Sequence, residues 1–433
     1  MTEEFCKVTD DEETSCQSNC KQPGPKDKDG NVQKRIIGYY EAWNYKKSCA
    51  GMGFSDIPVN ALTHAYFSFG YITPGDFKIA PMDDLPTDLF SEFTAIKKRN
   101  SGLKAVVALG GWTFNDNGTA TQPVFSNMVS TAANRKTFIG NLFGFMRKYG
   151  FDGVDFDWEY PGAGDRGGKP DDGKNFVTFL KELDEQNNKQ PEKYIVSFTI
   201  PTSYWYLRHF DLKAIDHVDF VNIMSYDLHG IWDSTNPIGS NIFAHSNLTE
   251  IKSALDLLWR NDVPAKKLNL GLGFYGRSFT LVDPLCTTPG CGFRGGANPG
   301  SCSNNAGTLT YREIQQIIKD KKLKPHHDKK AAVKWINWDQ DQWVSYVSIL
   351  SVTMPLLSCF SFFPLFPQVI YTISKTICFK HIMCTFDLET LNSSFYMCLY
   401  LLCANPRRTT QIRSNKKSIS PMMSDCQVSS SGP

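Results

Sequence analysis

Phe151-Asp152-Gly153-Val154-Asp155-Phe156-Asp157-Trp158-Glu159-Tyr160-Pro161 is the stretch on which the fold turns. Alternate side chains of a β-strand point to opposite faces. Asp155, Asp157 and Glu159 therefore share one face, and Val154, Phe156 and Trp158 share the other. Carboxylates crowded on one side of an apolar strand repel, so one must be protonated or strongly hydrogen-bonded. That is how an acid is kept protonated near neutral pH beside an ionised neighbour. A solvated edge strand would not carry Val154, Phe156 and Trp158 on its other face. A calcium loop starting at Asp155 needs Gly at its sixth position and Glu at its twelfth. Tyr160 and Arg166 stand there. Catalytic carboxylates at the C-terminal end of a strand account best for the stretch.

Outward from it the chain alternates strand and helix. Candidate strands are 35–43, 61–70, 103–110, 151–159, 194–201, 218–226 and 267–275. Phe138, Leu142, Phe145, Met146 and Tyr149 lie at helical spacing before Gly150, and Phe176, Phe179, Leu180 and Leu183 mark another helix. Such alternation implies a parallel α/β sheet, closed or doubly wound.

The quoted stretch resembles the D-x-x-D-x-D-x-E signature of family 18 glycoside hydrolases, particularly the fungal class V and killer-toxin-like chitinases. The other strand ends resemble that family in order. Thr63-His64-Ala65-Tyr66-Phe67-Ser68-Phe69 is similar to its second strand and Ala108-Leu109-Gly110-Gly111-Trp112 to its third. Asn222-Ile223-Met224-Ser225-Tyr226-Asp227 is similar to its sixth, and Gly271-Leu272-Gly273-Phe274-Tyr275-Gly276-Arg277 to its seventh. The resemblance implies a (β/α)8 TIM barrel over 34–346, with an α+β insertion at 278–340 after strand 7. The barrel is expected to be incomplete at the C-terminus, because no eighth strand follows Tyr346 in the family's pattern.

The ends read differently. Residues 1–33 are polar, and Phe5-Cys6 to Cys16-Gln17-Ser18-Asn19-Cys20 resembles the end of a hevein-like chitin-binding module. Residues 347–433 form an apolar, low-complexity tail. Val347 to Ile373 is 27 residues without a charge, long enough for a membrane span, but Pro355, Pro364 and Pro367 weigh against one. Val347-Ser348 is encodable as GTAAGT, a common intron start, so the tail is expected to be translated intron or a misassigned exon. The chain as written is then expected to leave its first and seventh strands as edges, and to be poorly folded and inactive.

Thirteen cysteines, without a C-x-x-C pair, favour disulfides and an extracellular protein. Cys16 and Cys20, and the Cys286/Cys291/Cys302 group, look like disulfide material, and Asn117 and Asn247 begin possible glycosylation acceptors. Met1-Thr2-Glu3-Glu4 is not a signal peptide, so an incomplete N-terminus is expected. A formal net charge of +2 gives no electrostatic case for nucleic acid. His326-His327 in a Lys-rich loop reads as a solvated turn rather than a metal site.

The resemblance implies hydrolysis of β-1,4 bonds in chitin or chito-oligosaccharides, by a monomer without metal or cofactor. Glu159 would be the acid. Asp157 would hold the substrate acetamide, Asp155 would share a proton with Asp157, and Tyr226 would bind the acetamide oxygen. Asp152, off the shared face, is expected to be structural. Trp43, Trp112 and Trp232 would stack on sugars, the glycines before Trp112 letting a sugar approach, and Asp227 and Arg277 would bind polar groups. Tyr39, Phe69, Tyr160, Met224 and Tyr275 complete the expected substrate-binding set. A catalytically impaired lectin, a surface-anchored protein and an endo-β-N-acetylglucosaminidase are the alternatives.

Overall fold

The computed structural model describes residues 35–45, 47–49, 51–82 and 85–348, and the backbone of 369–373. The hevein-like segment with Cys6, Cys16 and Cys20, and the tail cysteines, lie outside these residues. The chain divides into units 1–378 and 379–433, and all described residues belong to the first.

Seven parallel strands carry the barrel through the family-like segments: β1 Ile36–Glu41, β2 His64–Ile72, β3 Lys104–Gly110, β4 Gly153–Asp157, β5 Ile195–Pro201, β6 Phe220–Met224 and β7 Leu268–Leu272. Each pairs in parallel with the next. Their interiors are almost wholly buried, because helices cover the outer face while side chains fill the inner one. The helix Ala132–Tyr149 starts where the Thr131 side chain accepts from the Asn134 N–H, and stops at Gly150 in the left-handed region, φ 75°. Its Phe138, Leu142, Phe145 and Met146 are buried, as the spacing predicts.

An eighth strand is present, contrary to the expectation of an open barrel. The backbone of β8, Val369–Ile373, pairs in parallel with β1 (Ile36 beside Val369) and with β7 (Leu270 beside Val369), closing the ring. The three prolines that argue against a strand all precede this segment, whose Val, Ile, Tyr and Thr suit one.

The insertion is an antiparallel sheet with one helix, Tyr311–Asp320. Its sheet takes in Tyr275–Leu281 and Gln342–Tyr346, which pair with each other antiparallel. Its Thr310–Glu313 capping box also ties down a loop: Glu313 Oε1 accepts from the Cys302 and Ser303 N–H groups at 2.7 and 2.8 Å. Cys302 is bonded to Cys49, which the cysteine grouping overlooks, and Cys286 to Cys291. His326–Asp328 is a short edge strand rather than a turn, with His326 stacked 3.9 Å from Trp335. Among the described residues no helix is long and apolar enough to cross a membrane, and no group of His, Cys, Asp and Glu could hold a metal.

Closure through β8 has a direct test. Tyr371 is paired on both sides, with Gly38 and with Leu272, so Tyr371→Pro removes a ladder bond and should destabilise the barrel by about 1–3 kcal/mol. An unchanged melting temperature would show that this segment does not close it.

Candidate active site

Asp155, Asp157 and Glu159 rise along β4 and just beyond it, and are 0, 6 and 7% exposed. Trp158 faces the other way, 5.2 Å from the Phe125 ring and 5.5 Å from that of Phe176. Asp152, also off the carboxylate face, pairs with Lys97 at 2.9 Å and accepts from the Ala105 N–H at 2.7 Å, a structural role.

Asp155 accepts three hydrogen bonds: from Tyr39 Oη at 2.8 Å, Ser197 Oγ at 2.6 Å and Asn222 Nδ2 at 3.0 Å. Burial raises its carboxyl, the donors from Ser197, Tyr39 and Asn222 pull it back, and it comes to rest at about 6. Asp157 accepts from Thr199 Oγ1. Burial and the charge of Glu159 push it well above the ordinary range. Glu159 is pushed up to about 7 by burial, against the pull of the Tyr160 hydroxyl and Arg166. The Asp157–Glu159 pair therefore retains a proton near neutral pH. Tyr39, Ser197 and Asn222 all donate to the Asp155 oxygens, and Thr199 donates to Asp157.

A pocket opens over Asp157. Five expected residues line it with that carboxylate: Tyr39, Trp43, Phe69, Met224 and Tyr226. Glu41, Ser68, Thr199, Asn222 and Ile223 line it too; Ser68, Asn222 and Ile223 fall within the family-like strand ends, but no site role is expected of any of the five. Ser68 Oγ is buried without a hydrogen-bond partner among the described residues. Parity would have found some of these. Ser197 and Thr199 on β5 and Asn222 on β6 are polar residues at inward positions of otherwise apolar strands, and Ser197 pairs with Asp155 in register.

Other expected residues are used differently. A Cβ at Gly110 would meet the Asp157 carbonyl at 2.3 Å, and one at Gly111 the Phe69 ring at 2.6 Å. These glycines make room for the Asp157 backbone and for the Phe69 ring. Tyr160 is buried with its ring 4.3 Å from that of Tyr206, so it reaches the site through Glu159 and not as a stacking face. Asp227 and Arg277 bond each other through two contacts of 2.8 Å, and His245 lies 3.5 Å from Asp227. Burial would raise Asp227, but His245 and Arg277 hold it well below the usual carboxylate range. Tyr275 packs 5.0 Å from His245 and 6.3 Å from Tyr226. Trp43, Trp112 and Trp232 are 36, 50 and 38% exposed. Guanidiniums sit against two of them, Arg166 at 3.8 Å from Trp112 and Arg277 at 4.9 Å from Trp232.

This barrel with its carboxylate strand has close counterparts. Residues 35–353 match glycosyl hydrolases family 18. The chain belongs to that family. β8 lies beyond the matched region. The family 18 chain is 34% identical over 321 residues to the probable chitinase LysM11 of Penicillium expansum, an alignment spanning 70% of this chain and 28% of that protein. It is 35% identical to the killer toxin subunits alpha/beta of Kluyveromyces lactis over 338 residues, 76% of this chain and 28% of the toxin. The Group IV chitinase of Ostrinia furnacalis, solved in complex with allosamidin, superposes with a TM-score of 0.68 at 28% identity, covering 79% of this chain and 92% of that one. The chain thus spans less than a third of the length of those two fungal relatives.

The segment that carries Trp232 is pinned from below. His229, 6% exposed, lies 2.8 Å from Asp233 through Nδ1 and 3.1 Å from both Glu250 oxygens through Nε2. Burial lowers its pKa, the two carboxylates raise it, and the outcome is about 9. A histidine raised in the folded state contributes stability that is fully present below its unfolded pKa of about 6.5 and is lost as pH rises through 9. Unfolding free energy should therefore fall by about 2 kcal/mol between pH 6.5 and 9.5, discounted for the half-exposed Glu250. Asp233→Asn should flatten that slope in denaturant titrations; an equal slope in both proteins would remove the ionic pin.

Proposed function

We propose that this chain hydrolyses β-1,4 bonds between N-acetylglucosamine units of chitin or chito-oligosaccharides, with retention of configuration. The observation that carries the proposal is Glu159, a buried carboxyl held near pH 7 at the end of β4 in a family 18 barrel. An acid with that pKa is protonated often enough to donate and ionised often enough to take the proton back.

Glu159 delivers its proton to the glycosidic oxygen as the bond from C1 to that oxygen breaks. The substrate's own acetamide oxygen attacks C1 and forms an oxazolinium ion, the substrate-assisted route that departs from the usual carboxylate nucleophile. Asp157 accepts from the acetamide N–H and offsets the positive charge that develops on the ring. Tyr226, in the pocket over Asp157, holds the acetamide oxygen. Water then attacks C1, Glu159 takes its proton, and the oxazoline opens. Trp43, Trp112 and Trp232 offer stacking faces along the sugar chain. The named chitinase relatives and the allosamidin complex support the substrate class. The Cys49–Cys302 and Cys286–Cys291 disulfides, together with a relative named a secreted chitinase, support an extracellular enzyme.

Glu159→Gln keeps the shape and loses the proton, so hydrolysis of chito-oligosaccharides should fall about 10²–10⁴-fold while their binding persists. Activity within a few-fold of wild type would remove Glu159 from its role. Asp157→Asn is informative in another way. A thiazoline analogue of the intermediate should bind wild type tightly and this variant poorly. A sugar found covalently attached to the protein during turnover would contradict the acetamide route.

A further inference from the structure

We propose that Arg35, Asn269 and Asn222 form a one-way hydrogen-bond relay through the barrel interior that holds Asp155 anionic and oriented, making the three positioning residues for the carboxylates above. The proposal rests on the hydrolytic role of those carboxylates.

The chain of contacts starts at the entrance to β1. Arg35 Nη1 donates to Asn269 Oδ1 at 3.2 Å, Asn269 Nδ2 to Asn222 Oδ1 at 2.8 Å, and Asn222 Nδ2 to Asp155 Oδ1 at 3.0 Å. Asn222 Nδ2 also donates to Tyr39 Oη at 2.7 Å, and Tyr39 Oη donates to Asp155 Oδ2 at 2.8 Å. The two amides are 0 and 1% exposed, so water does not compete for them.

The direction of the relay follows from what each group is able to donate. A guanidinium only donates, so it fixes the oxygen of Asn269 toward Arg35 and sends the NH2 of Asn269 inward. An ionised carboxylate only accepts, so Asp155 fixes the NH2 of Asn222 toward itself. Tyr39 reinforces this: its one hydrogen goes to Asp155, so its oxygen accepts from Asn222. Both amides are thereby oriented from both ends, with the positive end of every dipole toward Asp155. Protonating Asp155 would turn an acceptor into a donor and work against each link. Hydrogen bonds aligned in series polarise one another in a low dielectric.

The remaining neighbours leave this polarity intact. Tyr66 contacts Ser197 Oγ at 3.0 Å, and Ser197 donates to Asp155. Burial is what opposes ionisation of Asp155, while Asp157, on the same strand, is itself pushed up by burial and by the charges of Glu159 and Asp155. Near Arg35 stand the Phe220 ring, 4.2 Å from the guanidinium, the anionic Asp219 and Lys104. His64 stays neutral there, lowered to about 4 by burial and then by Arg35 and Lys104.

The test compares Arg35→Met, Arg35→Lys and Asn269→Leu with wild type. Arg35 is partly exposed, so its replacement is expected to fold. Cutting the relay disfavours anionic Asp155, so the acidic limb of kcat/KM on a soluble chito-oligosaccharide should move up by roughly half a pH unit in Arg35→Met and in Asn269→Leu. Arg35→Lys should restore most of the wild-type limb, and the double variant should shift no further than either single one. Stability supplies a readout independent of turnover. Asp155 is raised in the folded state, so its stabilising share is lost as pH rises, and a cut relay deepens that loss. Asn269→Leu, which cuts the relay and leaves Arg35 in place beside His64, should therefore lose more stability, relative to wild type, at pH 7.5 than at pH 4.5. An unmoved limb, or a stability loss equal at both pH values, overturns the relay. Wild type that turns over no chito-oligosaccharide would sink the proposed function instead, and the stability series alone would then decide the relay.

Discussion

Burying three carboxylic acids on one face of a strand is the constraint on which the rest of this barrel depends. An ionised carboxylate taken out of water is costly unless donors replace the solvent. β4 cannot provide them, because its own N–H groups are committed to its neighbours. They come instead from side chains around the ring: Tyr39 on β1, Ser197 and Thr199 on β5 and Asn222 on β6. Asp155 receives most of this help and Glu159 least. The donors thereby grade the acids, the deepest being the most readily ionised and Asp157 and Glu159 being pushed higher.

The same grading separates two kinds of charge at the C-terminal face. Asp227 is held ionised by Arg277 and His245, so it contributes a fixed negative charge near Glu159 and helps to raise it. Asp157 and Glu159 have no cation bonded directly to their carboxyl oxygens among the described residues. A fixed pair beside a proton-holding pair is the arrangement expected where one group must stay charged and another must change.

Much of this was legible from residue pattern. The inward parity of Asp155, Asp157 and Glu159 survives in the structure, and so do the seven strands, the helix ending at Gly150 and the helix carrying Phe176, Phe179, Leu180 and Leu183. Motif matching misses Thr199 and Asn269 and gives Asn222 no role, because a polar residue at one inward position is unremarkable until its partners across the ring are known. It assigns Tyr160, Asp227 and Arg277 to the sugar but is silent on the protein partners that hold them, Tyr206 beside Tyr160 and the Asp227–Arg277 pair. A motif marks which residues meet at a strand end and is silent on how they divide their hydrogen bonds. Cys49 is missed for a related reason: its partner, Cys302, lies 253 residues away in an insertion whose docking no local pattern encodes.

The eighth strand carries the last step. Closing a barrel asks for backbone donors and acceptors between β1 and β7, and a short β-prone segment of suitable register satisfies that without any particular side chain. Val369-Ile370-Tyr371-Thr372-Ile373, beyond the family match, meets this requirement. Lining a sugar site asks for more, namely specific side chains at the strand's end, and this segment contains no tryptophan. Backbone closure and site completion are therefore separable. The first bears on the carboxylates directly, because β1 lies between β2 and β8 and carries Tyr39, a donor to Asp155. Whatever holds β1 in the ring also holds that donor in place, so the chemistry on β4 depends on pairing at the far side of the barrel even where the pairing residues never meet the substrate.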